Sequence, residues 1–167
     1  MKFKLILGDI TQQTTDAIVN PANKTLLGGG GVDGAIHREA GLKLLEECKL
    51  LGGCKTGEAK ITKGYNLKAK YVIHTAGPIY NIEKGQEKKL LTNCYYNSLN
   101  LAVSNGIKTI SFPSISTGAF RYPKKEACEI AIKTCKDFDK ENPNLIEIVF
   151  VVFDKESYDL YNKELLI

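Results

Sequence analysis

The chain has 167 residues, the size of one ordinary domain, and its 43% hydrophobic and 25% charged content is typical of a soluble globular protein. No apolar stretch approaches the roughly 20 residues of a membrane-spanning helix, and Met1 leads directly into Phe3–Leu7 without a signal-peptide core, so a cytoplasmic location is expected. The net charge of +4 suits an anionic ligand, but the lysines are scattered rather than gathered into a stripe, so nucleic acid is not the expected partner.

Phe3, Leu5 and Leu7 alternate with Lys2, Lys4 and Ile6, the pattern of a strand with one wetter face. Ala17-Ile18-Val19 reads as a short buried strand closing on Asn20-Pro21. A helix is expected to begin near Asp33 and run through Leu44 and Leu45. Tyr71 to His74 is another strand, ended by Gly77-Pro78. Leu90, Leu91, Cys94, Tyr95, Ser98, Leu99, Ala102 and Val103 then recur at helical spacing, and Asn105-Gly106 stops that helix. Thr109 to Phe112 is a strand leading into a loop. Pro123 opens a second long helix with Ala127, Ile130, Ala131, Thr134 and Phe138 on one face. Ile148 to Phe153 is apolar throughout, as in a central strand covered on both sides. Asp154 is placed to cap a final helix containing Leu160 and Tyr161. Strands alternating with helices predict an α/β fold. With no repeat, low-complexity tract or linker, residues 1–167 are read as one domain.

Two loops carry the chemistry. Asn20 to His37 contains four adjacent glycines, Gly28 to Gly31, just before a helix. Such a loop lets the backbone approach a ligand and turn N–H groups toward it, and the helix N-terminus favours negative charge. Pro113 to Phe120 follows a strand and carries Ser114, Ser116, Thr117 and Gly118, which suit phosphate oxygens at the carboxyl end of an α/β sheet. Together the loops suggest a clamp on a diphosphate.

Other motifs fail on context. Gly29, Gly31 and Gly34 satisfy G-x-G-x-x-G, but an Asn-rich segment separates them from the preceding strand, and no acidic residue ends the next strand. His37-Arg38-Glu39 matches the H-x-E of zinc deaminases, yet no P-C-x-x-C follows. There is neither a G-x-S-x-G elbow nor a Walker loop. The five cysteines (Cys48, Cys54, Cys94, Cys128 and Cys135) form no C-x-x-C pair and read as reduced thiols acting as small hydrophobes. His37 and His74 read as capping or core residues. No metal and no cofactor are expected.

Gly8-Asp9-Ile10-Thr11, Ala17 to Asn23, Leu27 to His37 and Ile115 to Pro123, with Gly53 to Lys60 and Val72 to Pro78 between them, resemble a macrodomain of the MacroD type, which includes bacterial O-acetyl-ADP-ribose deacetylases. The resemblance spans essentially the whole chain, in order. It implies a three-layer α/β/α fold with a mixed central sheet and ADP-ribose lying across its carboxyl-end crevice. Asp9 would accept from the adenine amino group, the Ile10 backbone would help to read the ring, and Phe153 would lie against it. Gly30, Gly31, Val32 and Ser116, Thr117, Gly118, Ala119 and Phe120 would embrace the diphosphate and distal ribose. Asn23 would hydrogen-bond that ribose, and Asp33 would lie beside the scissile bond. As in the active members, Asp follows Gly-Gly-Gly-Gly-Val, so the expected activity is hydrolysis of an ester at the distal ribose. The substrate would be O-acetyl-ADP-ribose or a mono-ADP-ribosylated protein, and the enzyme a monomer. A non-catalytic reader of ADP-ribosylated proteins would use the same pocket. Three positions depart from the family's usual residues: Pro21 for Ala, Glu58 for His and Arg121 for Gly.

Overall fold

The computed structural model describes residues 2–145 and 147–167. Six strands form one mixed sheet: β1 (Phe3–Leu7), β2 (Ala17–Ala22), β3 (Ala59–Lys63), β4 (Tyr71–Ala76), β5 (Thr109–Phe112) and β6 (Glu147–Val152). Their order is β1-β6-β5-β2-β4-β3, and every pairing is parallel except the antiparallel β3–β4 pair. Helices α1 (Gly31–Ala40) and α2 (Leu42–Leu51) cover one face; α3 (Glu87–Ser104), α4 (Lys124–Glu141) and α5 (Lys155–Leu165) cover the other. This is the expected three-layer α/β/α arrangement.

Strand periodicity divides the core. Ala17 and Val19 of β2 and Ile73 of β4 face the α3–α5 layer, with Tyr95, Phe112, Phe138, Phe150 and Tyr161. Ile18, Ala22, Val72 and Ala76 face the α1–α2 layer, with Ile36, Leu44 and Cys48. Side chains two apart on a strand share a face, so Asn20 and His74 also belong to the α1–α2 side. All five cysteines are buried and unpaired. Among the described residues, no helix is long and apolar enough to cross a membrane.

Two elements differ from the sequence expectation. The helix expected from Asp33 through Leu45 is two helices meeting at Gly41, whose φ of 88° and ψ of 175° suit only glycine. The Ile36, Ala40 and Leu44 spacing continues across the break because both helices bury the same side. Strand β3 has no counterpart in that expectation, because Ala-Lys-Ile-Thr-Lys carries little apolar signal. It is an edge strand, and its lysines discourage pairing with a further chain.

Pro21 sits inside β2, but β5 pairs with that strand only at Ala17 and Ile18. Beyond them one side of β2 has no ladder to interrupt. The strands part there, and the opening lies at the carboxyl ends of β2, β4, β5 and β6, where open α/β sheets place ligands. Across it, Asp154 caps α5 as expected, its Oδ1 accepting from Ser157 N at 2.8 Å and its Oδ2 from Ser157 Oγ at 3.0 Å.

A Cβ at Gly41 would lie 2.9 Å from Asn66 Nδ2 in addition to the backbone penalty. Gly41→Ala should therefore lower the unfolding free energy by about 1–3 kcal/mol in urea titrations. An unchanged midpoint would show that the α1–α2 junction adapts without cost.

Candidate functional site

The opening is a cavity of about 450 Å³, within the usual size range for small-ligand sites. Its walls are the two loops singled out in the sequence. Asn23, Gly30, Gly31, Val32 and Asp33 form one side, and Ser116, Thr117, Gly118, Ala119 and Phe120 form the other.

Close approach explains two glycines that flank the first wall, Gly29 and Gly34. Asn23 Nδ2 donates to Gly28 O at 3.1 Å. A Cβ at Gly29 would lie 2.6 Å from that nitrogen and 3.1 Å from Asp33 Oδ2. Gly34 packs against the loop itself: a Cβ there would come within 2.5 Å of Gly29 O. Gly30 caps α1 without a side-chain hydrogen bond, so the first N–H groups of that helix remain available to an anion.

The second wall is anchored from beneath. Tyr95 of α3 accepts from Ile115 N at 3.2 Å and donates to Pro113 O at 3.4 Å. Ser116 is held at φ 68°, and its buried Oγ has no hydrogen-bond partner. A Cβ at Gly77 would collide with that hydroxyl. Thr117 Oγ1 donates to Ser114 Oγ at 2.9 Å. Both walls thus present a polar atom with no protein hydrogen-bond partner, Asp33 Oδ2 on one side and Ser116 Oγ on the other.

Of the two carboxylates in the wall, Asp33 and Asp154, Asp33 is the buried one. It is 4% exposed. Its Oδ1 accepts from Asn20 Nδ2 at 2.9 Å and lies 3.5 Å from His37 Nε2, while its buried Oδ2 has no hydrogen-bond partner. Burial raises the Asp33 pKa above the ordinary carboxylate value; the Asn20 hydrogen bond and His37 oppose that rise. The arrangement can hold a carboxylate with one oxygen pinned and the other able to accept a proton.

Other residues divide between the cavity and its surroundings. Phe153 lies past the end of β6; it is 74% exposed at the cavity rim and is not part of the core. Asp9 is exposed outside the wall and caps a 3-10 turn at Ile10–Gln12, its Oδ1 accepting from Thr11 N at 2.9 Å and Thr11 Oγ1 at 2.7 Å. Ile10 is buried beside the α1–α2 core and is likewise outside the wall. Arg121 is exposed, with φ at 60°, a conformation in which glycine is favoured. Glu58 is exposed and also outside the wall.

Sequence reasoning missed Gly77, Lys124, Asp154 and Ser157 as wall residues. Their signals were weak: Gly77-Pro78 and Asp154 read as punctuation, and Lys124 as one lysine among many. Lys124 Nζ lies 3.1 Å from Glu156 Oε1 and 3.5 Å from Asp154 Oδ1.

The raised Asp33 pKa has a stability consequence with a definite sign. The folded protein binds this proton more tightly than the unfolded chain, so ionisation costs stability as pH rises through the unfolded and then the folded pKa. Asp33→Asn should be more stable than the parent protein near neutral pH. That advantage should vanish below about pH 4, where both side chains are neutral. Urea unfolding at the two pH values checks this, and a variant no more stable at neutral pH would refute it.

Comparisons with known proteins show the family and the fold. The Macro domain family model matches residues 19–131. Macro domain-containing protein CT2219 of Chlorobaculum tepidum is 54% identical over 96% of this chain and 93% of its own length. ADP-ribose glycohydrolase MACROD2 of Xenopus laevis is 52% identical over 98% of this chain, which spans 40% of that longer protein. Among solved structures, the Oceanobacillus iheyensis macrodomain with ADP superposes with a TM-score of 0.92 at 44% identity, covering 97% of this chain and 88% of the other. The Trypanosoma brucei macrodomain in complex with ADP-ribose gives 0.92 at 44% identity, covering 96% and 68%. This chain belongs to the macro domain family and is a macrodomain of the MacroD type.

Proposed function

We propose that this protein binds ADP-ribose in the cavity and hydrolyses an ester at its distal ribose. The reading rests on the placement of Asp33, a buried carboxylate with one unpartnered oxygen, in a wall that also holds Asn23 and the start of α1. Support comes from relatives described as ADP-ribose glycohydrolases and from a homologous structure with ADP-ribose bound.

In this reading the diphosphate lies between the N-terminus of α1 and Ser116 to Phe120, where N–H groups and hydroxyls replace its water. Asn23 holds the distal ribose. Phe153 offers an apolar ring at the rim, and Asp9 and Ile10 lie farther out as adenine contacts. Water attacks the acyl carbon as Asp33 Oδ2 takes its proton. The acyl–oxygen bond then breaks, and that proton returns to the departing ribose oxygen. The products are ADP-ribose and a carboxylic acid: acetate from O-acetyl-ADP-ribose, or an Asp or Glu side chain from a modified protein. The raised pKa suits Asp33 to this cycle, because a carboxylate with costly ionisation is a stronger base than an exposed one. Every group in the cycle is supplied by the protein, the water and the substrate.

Turnover of O-acetyl-ADP-ribose should fall about 10²–10⁴-fold in Asp33→Ala, the range contributed by a positioned general base. ADP-ribose affinity, measured by calorimetry, should change far less. A variant with full turnover would remove Asp33 from the mechanism. ADP-ribose binding without turnover of an acetyl or protein ester by the intact protein would leave it a reader.

A further inference from the structure

A row of polar side chains crosses the apolar face of the sheet beneath α1 and α2. Asn20, His74 and Thr62 stand on three adjacent strands, β2, β4 and β3, and are 0%, 0% and 2% exposed. Strand register creates the row: Asn20 is paired with His74, and Thr62 with Val72, two residues from His74 on the same face. Buried polar groups are costly unless their hydrogen bonds are made.

With Asp33 ionised, the donors and acceptors fit one arrangement, in which Asn20 Oδ1 has no protein partner. Thr62 Oγ1 donates to Lys63 O at 3.1 Å, so it accepts from His74 Nε2 at 2.9 Å. That places the imidazole proton on Nε2 and leaves Nδ1 to accept from Asn20 Nδ2 at 3.1 Å. The second hydrogen of the same amide nitrogen goes to Asp33 Oδ1 at 2.9 Å. Cys48 Sγ, 3.7 Å from Nε2, is a weak alternative partner for that proton. Burial, helped by His37, holds His74 far down at about 3, so the ring is neutral. A reversed Asn20 amide would turn its carbonyl to both Asp33 Oδ1 and an unprotonated Nδ1, which is repulsive on both sides.

We propose that His74 is a positioning residue: fixed as the Nε2–H tautomer by Thr62, it holds the Asn20 amide in the orientation that grips Asp33 Oδ1 and leaves Oδ2 as the proton acceptor. The catalytic contribution of this row rests on the hydrolase reading above; its effect on Asp33 does not. The titratable groups facing Asp33 are His37 on α1, His74 on β4 acting through Asn20, and Cys48 on α2. The turn Ile10–Gln12 packed against α1 contains none. Removing the Thr62 hydroxyl frees His74 to carry its proton on Nδ1. The amide then reverses, presents its carbonyl to Asp33 and favours the protonated acid.

The test is carboxyl ¹³C NMR titration of Asp33 in the parent protein, Thr62→Val and Thr62→Ser, with ¹⁵N imidazole shifts reporting the His74 tautomer. The parent should show neutral Nε2–H His74. Thr62→Val should move the Asp33 midpoint to higher pH, and Thr62→Ser, which keeps the hydroxyl, should restore it. In the enzyme assay, the acidic limb of the kcat profile should shift upward in Thr62→Val with ADP-ribose affinity unchanged. An Nδ1–H or charged His74 in the parent protein overturns the proposal even if the valine variant fails to fold. Equal Asp33 midpoints in all three proteins also overturn it. The predicted NMR shifts without ester turnover in any of the three would uphold the positioning role and refute the hydrolase reading.

Discussion

Burying Asp33 takes its carboxylate out of water, and such a group can function as an anion only where protein donors replace part of the lost solvation. Here one side-chain amide supplies that replacement on one oxygen, with His37 nearby, and the other oxygen is left unpartnered. The rest of the site is arranged around that constraint. Gly29 is small enough to pass Asn23 and Asp33 Oδ2, Gly34 lets α1 approach the loop, and Asn20 reaches Asp33 from the neighbouring strand. Stability and function pull apart here: the raised pKa that disfavours the folded anion also makes it a better base.

The opposite wall follows a different principle. Its loop departs from regular structure immediately after β5, and Tyr95 ties it down from the α3 side. Ser116 adopts a backbone conformation unfavourable for a side chain, with its hydroxyl unpaired. A loop tied down by contacts within the protein loses less entropy on binding a ligand. The two walls therefore supply complementary features: a helix N-terminus for negative charge on one side, and hydroxyls with an open loop backbone on the other.

Much of this was legible in the sequence because it is local. Four glycines before a helix, a Ser/Thr loop after a strand and an Asp in the first helical turn declare themselves within a dozen residues. Asp154 was readable as a cap for the same reason. What the local sequence does not declare depends on tertiary placement. Gly41 breaks a helix whose apolar spacing continues unbroken, and Ala59–Lys63 becomes a strand only because β4 offers it an edge. The Asn20–His74–Thr62 row joins positions far apart in the chain. His74 alone could be read only as a core or capping residue, since its partners emerge from the register of β2, β4 and β3. Lys124 entered the wall in the same way, through the packing of α4 beside α5 rather than through any motif.

The most direct measurement is a crystal structure of the protein with ADP-ribose bound. The account predicts the diphosphate between the N-terminus of α1 and the loop from Ser116 to Phe120, with adenine toward Phe153. The distal ribose should lie within hydrogen-bond reach of Asn23, with a water between it and Asp33 Oδ2. A ribose directed to the Phe153 end, or a ligand seated outside this cavity, would contradict it.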